Sequence, residues 1–370
     1  MFLQFKKDAI ISDLKISAVF LSLLLVLIFA CSTGSDQIVT VFPGETWERI
    51  ADPESAGFTQ AGLDTIEEYL TTLNTTGCVV AVDGKLLYEY GNITELSYIA
   101  SVRKSVLAML FGNYVENGTV DMSKTLVDLD INDIGGLSEQ EREATITDLI
   151  SARSGVYHPA SNGGDNLADA PERNSQIHGE YFLYSNWDFN TLGFIFEQET
   201  GKDIYDAVGT DLAIPVGMQD WDREAQRKSG NLEISKYPAY HMWYSTRDMA
   251  RIGLLMLNKG NWNGQQVIPK DWAEKISSVI TPLEEMNPER TRNGKLGYGY
   301  LWWIFDGPEI SGYYAGAYTG IGAYGQYITV VPQLNMVIAH KVNNRSSRGS
   351  VSRDEFFGLM DKIFAAKKSE

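Results

Sequence analysis

Ser101 and Lys104 stand three residues apart, where a strand-like run from Leu96 to Ala100 gives way to a strongly helical one from Ser101 to Glu116. Side chains three apart share a helix face. The first-turn N–H groups of a helix are unpaired and carry partial positive charge, which favours an oxyanion beside them. A serine hydroxyl becomes a nucleophile when a base takes its proton, and a lysine in a dry pocket is such a base once its pKa is lowered. Taken alone, Ser-x-x-Lys also describes a helix N-cap followed by a solvated lysine. The chain holds a second copy at Ser12-Asp13-Leu14-Lys15.

Tyr184-Ser185-Asn186 is the second element able to do chemistry. A tyrosine relays protons if a nearby cation lowers its pKa from about 10, and Lys104 is a candidate for that cation. Asn186 offers an amide to orient the lysine and to meet a substrate carbonyl. Tyr184 as a packed aromatic and Asn186 as the N-cap of a helix from Trp187 are the ordinary alternatives. Four histidines and two cysteines, widely scattered, give no metal-ligand spacing, so no metal or other cofactor is expected.

The elements that must position these residues follow from patterning. Thr59 to Asn74 carries a helical stripe of Leu63, Ile66, Leu70 and Leu73. Cys78 to Val82, Asp83-Gly84 and Lys85 to Tyr90 predict a hairpin, with Cys78 a buried small hydrophobe. The stretch from 119 to 235 reads as helical with long loops, and 157 to 180 is so poor in apolar residues that it is either disordered or functional. Strands are expected at Tyr298 to Phe305 and Tyr313 to Tyr318, then a hairpin of Tyr324 to Val331 and Met336 to Val342. Ser352-x-x-Glu355 is a capping box opening a last helix with Phe356, Met360, Ile363 and Phe364 inward. The fold class is therefore α/β in the α+β sense: an antiparallel sheet built from both ends of the chain, flanked by N- and C-terminal helices, with an all-helical lobe inserted. The expected boundaries are 57–104 and 237–370 for the sheet part and about 105–236 for the lobe.

Of the 370 residues, 44% are hydrophobic and 21% charged, an ordinary globular balance. A net charge of −17 and the lack of a Lys/Arg cluster argue against nucleic acid as a partner. Residues 1–31 differ from the rest. Lys6, Lys7 and Lys15 precede an uncharged run from Ile16 to Ala30 that reads as an export signal. It ends Leu27-Ile28-Phe29-Ala30-Cys31-Ser32, similar to a bacterial lipobox in which Cys31 becomes a lipidated N-terminus. A signal anchor is the alternative, and either puts the body outside the cytoplasm, with a membrane as partner only through this segment. Residues 32–56 read as a tether and lead-in arm.

In order along the chain, these motifs make the sequence resemble the serine β-lactamase-like hydrolases: the class C and penicillin-binding-protein-like group, closest to its esterase and 6-aminohexanoate-dimer hydrolase members. Ser101-Val102-Arg103-Lys104 leads into a helix ending Glu116-Asn117-Gly118. Thr147 to Val156 is similar to the family's Leu-Leu-Thr-His-Thr-Ser-Gly segment. Tyr184-Ser185-Asn186 is followed by Leu192-Gly193 and Glu199-Thr200-Gly201, and Ser245-Thr246-Arg247-Asp248-Met249-Ala250-Arg251 matches a typical helix start. Where the family has Lys/His-Thr-Gly on a strand facing the serine, Tyr318-Thr319-Gly320 takes the place, so the cation is missing. The resemblance implies an exported serine hydrolase acting through an acyl-enzyme on a small-molecule ester or amide. Ser101 is then the nucleophile, and Lys104 and Tyr184 handle the proton. Asn186, Tyr318, Thr319 and Gly320 contact substrate, and Ile321 N–H shares the oxyanion with Ser101 N–H. The absent cation is expected to disfavour β-lactams and to leave Tyr184 less acidic than in class C relatives. A β-lactamase or D-Ala-D-Ala peptidase using the same residues, and a non-catalytic envelope-binding lipoprotein, are the alternatives.

Overall fold

The computed structural model describes residues 40–345 and 349–368. The export segment with Cys31, and the second Ser-x-x-Lys, lie outside these residues.

Chain connectivity starts with helix α1 (Gln60–Thr71), capped by the Thr59 side chain accepting from Gly62 N–H. Its stripe of Leu63, Ile66 and Leu70 is buried. Strands β1 (Gly77–Val82) and β2 (Lys85–Gly91) form the expected hairpin. Its turn residues Asp83 (φ 52°) and Gly84 (φ 79°) are both left-handed, the backbone a two-residue turn between twisted strands requires. Helix α2 (Val102–Glu116) follows, then α3 (Asn186–Thr200) and α4 (Thr246–Leu257). The remaining strands are β3 (Leu296–Tyr298), β4 (Trp303–Phe305), β5 (Tyr318–Gly322), β6 (Gln326–Val331) and β7 (Met336–Lys341), and helix α5 (Arg353–Ala365) ends the fold.

These strands make one antiparallel seven-stranded sheet in the order β2-β1-β7-β6-β5-β4-β3. The first hairpin thus joins the sheet beside the last strand, and residues 105–236 contribute no strand to it. Helices cover both faces, which is why β1, β6 and β7 are buried along their whole length. On one face α1 and α5 pack Phe58, Leu63, Phe356 and Met360 against Val80, Tyr327 and Ile338. The α5 capping box forms as expected, with Phe364 left partly exposed. Cys78 is fully buried on this face, and burial pushes its thiol up to about 12. On the other face lie α2 and α4, with Val106, Leu110, Met249 and Ile252 against Val79, Ala81, Ile328 and Val337. Helix α2 is buried nearly all round rather than along one stripe. A helix of that kind is an inner helix, and any polar side chain in its first turn is drawn out of water.

Three strand expectations change. Tyr298 to Phe305 is two short strands, with a reversal in which Leu301 is left-handed. Tyr313 to Tyr318 is mostly not strand: Gly312–Tyr314 is a 3-10 turn whose tyrosine rings pack on Phe364 and Phe305. The strand begins only at Tyr318. Of Leu96 to Ala100, only Ser97–Tyr98 is extended, paired with Trp243–Tyr244.

Candidate active site

Ser101 begins α2, but it does not cap it: its side chain makes no capping hydrogen bond. Thr59, Ser138, Thr145, Ser185, Ser245 and Ser352 all do at their own helices. The residue before it, Ala100, is left-handed (φ 47°), a backbone that costs a β-carbon residue roughly 1 kcal/mol or more and recurs at functional sites. The Ser101 hydroxyl is thereby left for another partner, Lys104 Nζ, 3.1 Å away.

Lys104 is 1% exposed, so the solvated-lysine reading is excluded. Its amine also lies 2.6 Å from the Tyr184 hydroxyl and donates to Asn186 Oδ1 at 2.7 Å. The rings of Tyr184 and Phe189 stand 4.2 and 4.5 Å from it. Ser185, not Asn186, caps α3, which leaves the Asn186 side chain free for the lysine. Among the described residues no carboxylate bonds the amine. Burial, and then the charge of Arg103, drive the Lys104 pKa well below the ordinary lysine value. Burial also pushes Tyr184 up to about 12, although the Ser101 hydroxyl and Arg103 pull the other way. The expected lowering of Tyr184 is thus reversed, because its own burial outweighs the groups that pull its pKa down. Both directions favour the uncharged forms, a free amine beside an intact phenol.

The 157–180 loop, patternless in sequence, is anchored on this cluster. Asn186 N–H donates to Asp165 Oδ2 at 2.9 Å, Asn186 Nδ2 donates to Gly163 O at 2.9 Å, and Asn166 N–H donates to Tyr184 O at 2.9 Å. Across the cleft, Arg290 grips Asp169 with two bonds of 2.7 and 2.6 Å, tying the loop to the 286–295 segment. Between them opens a cavity of about 310 Å³ whose walls include Ser101, Tyr184, Trp303, Ile321 and Ala323.

Of the β5 residues expected at substrate, only Ile321 lines this cavity. Tyr318 is 6% exposed and packs edge-on against Trp302, 5.5 Å between centroids. Thr319 is fully buried, its hydroxyl bonded to Thr329 Oγ1 at 2.8 Å. Gly320 lies against the Ser105 side chain. These three are corrections, and the pleat is the reason. Tyr318, Gly320 and Gly322 face α2 along one side of β5, and it is Gly322 that meets the nucleophile: a Cβ there would sit 3.1 Å from Ser101 N and against Ile99 O. Backbone groups alternate as well. Ala317 O accepts from Phe305 N–H on the β4 side, while Gly322 O accepts from Gly325 N–H on the β6 side. Ile321 and Ala323 N–H groups therefore point from the edge that β4 leaves unpaired beyond Thr319. Ala323, directly after the glycine against Ser101, was missed in sequence because matching Tyr-Thr-Gly by its letters put the oxyanion residue at Ile321, two residues earlier. The cavity also holds two cations that sequence reasoning did not place, Lys295 and Arg353, the latter 5.4 Å over the Trp303 ring. The site does not lack positive charge; it carries it on other elements.

Residues 64–357 match the Beta-lactamase family model, and the chain belongs to that family. It is 23% identical over 303 residues to the 6-aminohexanoate-dimer hydrolase of Paenarthrobacter ureafaciens, covering 75% of this chain and 74% of that one. Among solved structures, a Bacillus anthracis chain provisionally named a 6-aminohexanoate-dimer hydrolase superposes with a TM-score of 0.60 at 23% identity, over 81% and 80% of the two chains. EstCE1, a hydrolase with promiscuous acyltransferase activity, gives a TM-score of 0.59 at 14% identity, over 84% and 99%. The fold is that of the penicillin-binding-protein-like and β-lactamase-like hydrolases, and the family is one of hydrolases.

The site geometry sets a pH dependence. Lys104 gains its proton as pH falls, so labelling of Ser101 by a fluorophosphonate should slow on the acid side and rise with pH. Tyr184 keeps its proton to about 12, so labelling should not decline in the ordinary tyrosine range. A decline there would show that Tyr184 ionises in the ordinary tyrosine range and that its burial does not hold the proton.

Proposed function

We propose that this protein is a serine hydrolase that cleaves an ester or a linear amide through an acyl-enzyme on Ser101. The observation that carries the reading is the uncapped Ser101 hydroxyl bonded to a buried amine that has only neutral partners. A neutral amine has two N–H groups and one lone pair. The N–H groups suit Asn186 Oδ1 and the Tyr184 oxygen, which turns the lone pair to the Ser101 O–H. As Ser101 Oγ bonds to the substrate carbonyl carbon, its proton passes to Lys104 Nζ. The carbonyl electron pair moves onto oxygen, held by the N–H groups of Ser101 and of Ala323 or Ile321 on the free edge of β5. Collapse expels the leaving group, which takes a proton from Tyr184, resupplied by Lys104. Water then repeats the sequence on the acyl-enzyme and releases the acid.

Lys295 and Arg353 bear on the substrate. An ester or amide with a carboxylate at its far end would meet both cations, and the Paenarthrobacter relative is named for the dimer of an amino acid, an amide with such a group. The same cations would also receive a β-lactam carboxylate, so the earlier ground for disfavouring β-lactams, a neutral Tyr318, no longer applies. We retain the linear amide or ester on the likeness to the dimer hydrolase, with β-lactam hydrolysis as the second reading. We further propose that the body is exported and lipid-anchored at Cys31, a reading supported by the signal-like residues 1–31.

Ser101→Ala should abolish turnover, leaving about 10³–10⁴-fold catalysis over water at most, and Lys104→Met should be nearly as severe. In wild type, mass spectrometry of a slow substrate should find the acyl group on the peptide containing Ser101. Turnover by Ser101→Ala at the wild-type rate would end the mechanism. Arg353→Ala should cut kcat/KM for a carboxylate-terminated amide by about 10- to 150-fold, the worth of one charge-assisted hydrogen bond, and leave a neutral ester nearly unchanged. Nitrocefin turnover above both substrates would favour the β-lactamase reading instead. A palmitate analogue fed to a bacterial host should tag the protein, and Cys31→Ser should remove the tag; a tag that persists in Cys31→Ser would reject lipidation there.

A further inference from the structure

Arg103, the third residue of Ser-x-x-Lys, takes part in none of these steps, and it is nearly as deeply buried as Lys104, at 2% exposure. Arginine at this depth is normally matched by a carboxylate, because an unmatched charge in a dry interior is costly. Arg103 is not matched among the described residues. Its Nη2 donates to the neutral Asn190 Oδ1 at 3.2 Å, and its guanidinium lies 4.3 Å over the Tyr240 ring. Nε and Nη1 are buried without a well-aligned hydrogen bond, and the groups beside the guanidinium, the Tyr98 and Tyr240 hydroxyls, are neutral.

Two adjacent residues of an inner helix thus carry cationic side chains into the same low-dielectric region. They differ in how readily they lose charge. A guanidinium is delocalised and weakly hydrated and keeps its proton, whereas an ammonium gives its proton up when desolvated beside another cation. The conflict resolves at Lys104.

We propose that Arg103 is a positioning residue whose unmatched charge keeps Lys104 a free amine, so that the Nζ lone pair is available to the Ser101 hydroxyl. The inference rests on the acyl-enzyme reading above. The groups facing Lys104 bear it out. Ser101 and Arg103 come from α2, Tyr184 from the segment before α3, Asn186 from α3 itself and Asp165 from the 157–180 loop. Asp165 alone favours the ammonium, and it is turned to Asn186 N–H; Arg353 reaches only Tyr184. Burial is the larger influence on Lys104, and Arg103 is the next.

The test is the pH profile of kcat/KM in the full chain, together with the melting temperature, for wild type, Arg103→Met and Asn190→Asp. Arg103→Met removes the charge and keeps the bulk. The acid limb should move to higher pH by about one unit or more, so activity at a pH on that limb falls roughly tenfold, while the high-pH plateau recovers most of the wild-type rate. Asn190→Asp leaves Arg103 in place but pairs it with a carboxylate. It should move the limb in the same direction; the melting temperature serves only to show that the variant is folded, because the substitution also removes the bond that Asn190 Nδ2 donates to Asn162 Oδ1. This second variant decides the matter if Arg103→Met does not fold. A limb that stays in place in either folded variant overturns the proposal. A wild type whose activity survives Ser101→Ala fails the acyl-enzyme reading instead, and the two failures are distinguishable.

Discussion

An amine enclosed by a phenol, an amide, two aromatic rings and a serine hydroxyl, and bonded to no carboxylate among the described residues, is the constraint on which this site is built. Taking an ammonium out of water is expensive, and without a counter-ion the group sheds its proton rather than remain charged. The fold creates that condition through α2, which is apolar nearly all round and lies between the sheet and the helices of the central segment. A solvated first turn would leave Lys104 an ordinary cation and Ser101 an ordinary helix cap. Much of the neighbouring structure keeps the enclosure intact. The Ser185 cap frees Asn186, Asp165 holds its backbone N–H and Gly163 its side-chain amide from the loop side, and Gly322 lets β5 close against the start of the helix.

The cleft has the opposite electrostatic character from the rest of the molecule. A chain with a net charge of −17 presents Lys295 and Arg353 at the mouth of its nucleophile, and neither forms a salt bridge among the described residues. Both side chains lie over aromatic rings, which hold them without neutralising them. Exposed cations gathered at a concave site attract an anionic group more strongly than the overall acidity repels it, since the repulsion is screened beyond about 8 Å in physiological salt.

Much of this was legible in the sequence, and what was legible was local. Ser101, Lys104, Tyr184 and Asn186 were all named from residue type, spacing and chain order, and the structure brings the four together. The first hairpin, the last hairpin and the capped C-terminal helix follow from turn residues, alternation and a capping box. What failed was register. Tyr318-Thr319-Gly320 matches its counterpart by letters, but a strand's pleat decides which residues reach the cleft, and a shift of position along β5 exchanges a buried tyrosine for a glycine against the nucleophile. Arg353 and Lys295 were out of reach for another reason: each is an ordinary exposed basic residue far along the chain, and only tertiary packing brings it to the cavity. Asp165 sat in a loop whose composition marked it as special without saying what it holds. Arg103 was quoted as a letter of a motif; nothing in four residues tells that its guanidinium will be buried unpaired.

The protonation state of Lys104 can be read directly. With lysine labelled at the side-chain nitrogen and ε-carbon, and the Lys104 resonance assigned by its absence from Lys104→Met, the shift can be followed against pH by nuclear magnetic resonance. At about pH 8, where an ordinary lysine is charged, Lys104 should resonate as a free amine while the solvent-exposed lysines resonate as ammonium ions. A Lys104 signal that is ammonium at that pH and titrates together with the others, in protein whose Ser101 remains reactive, would contradict the account.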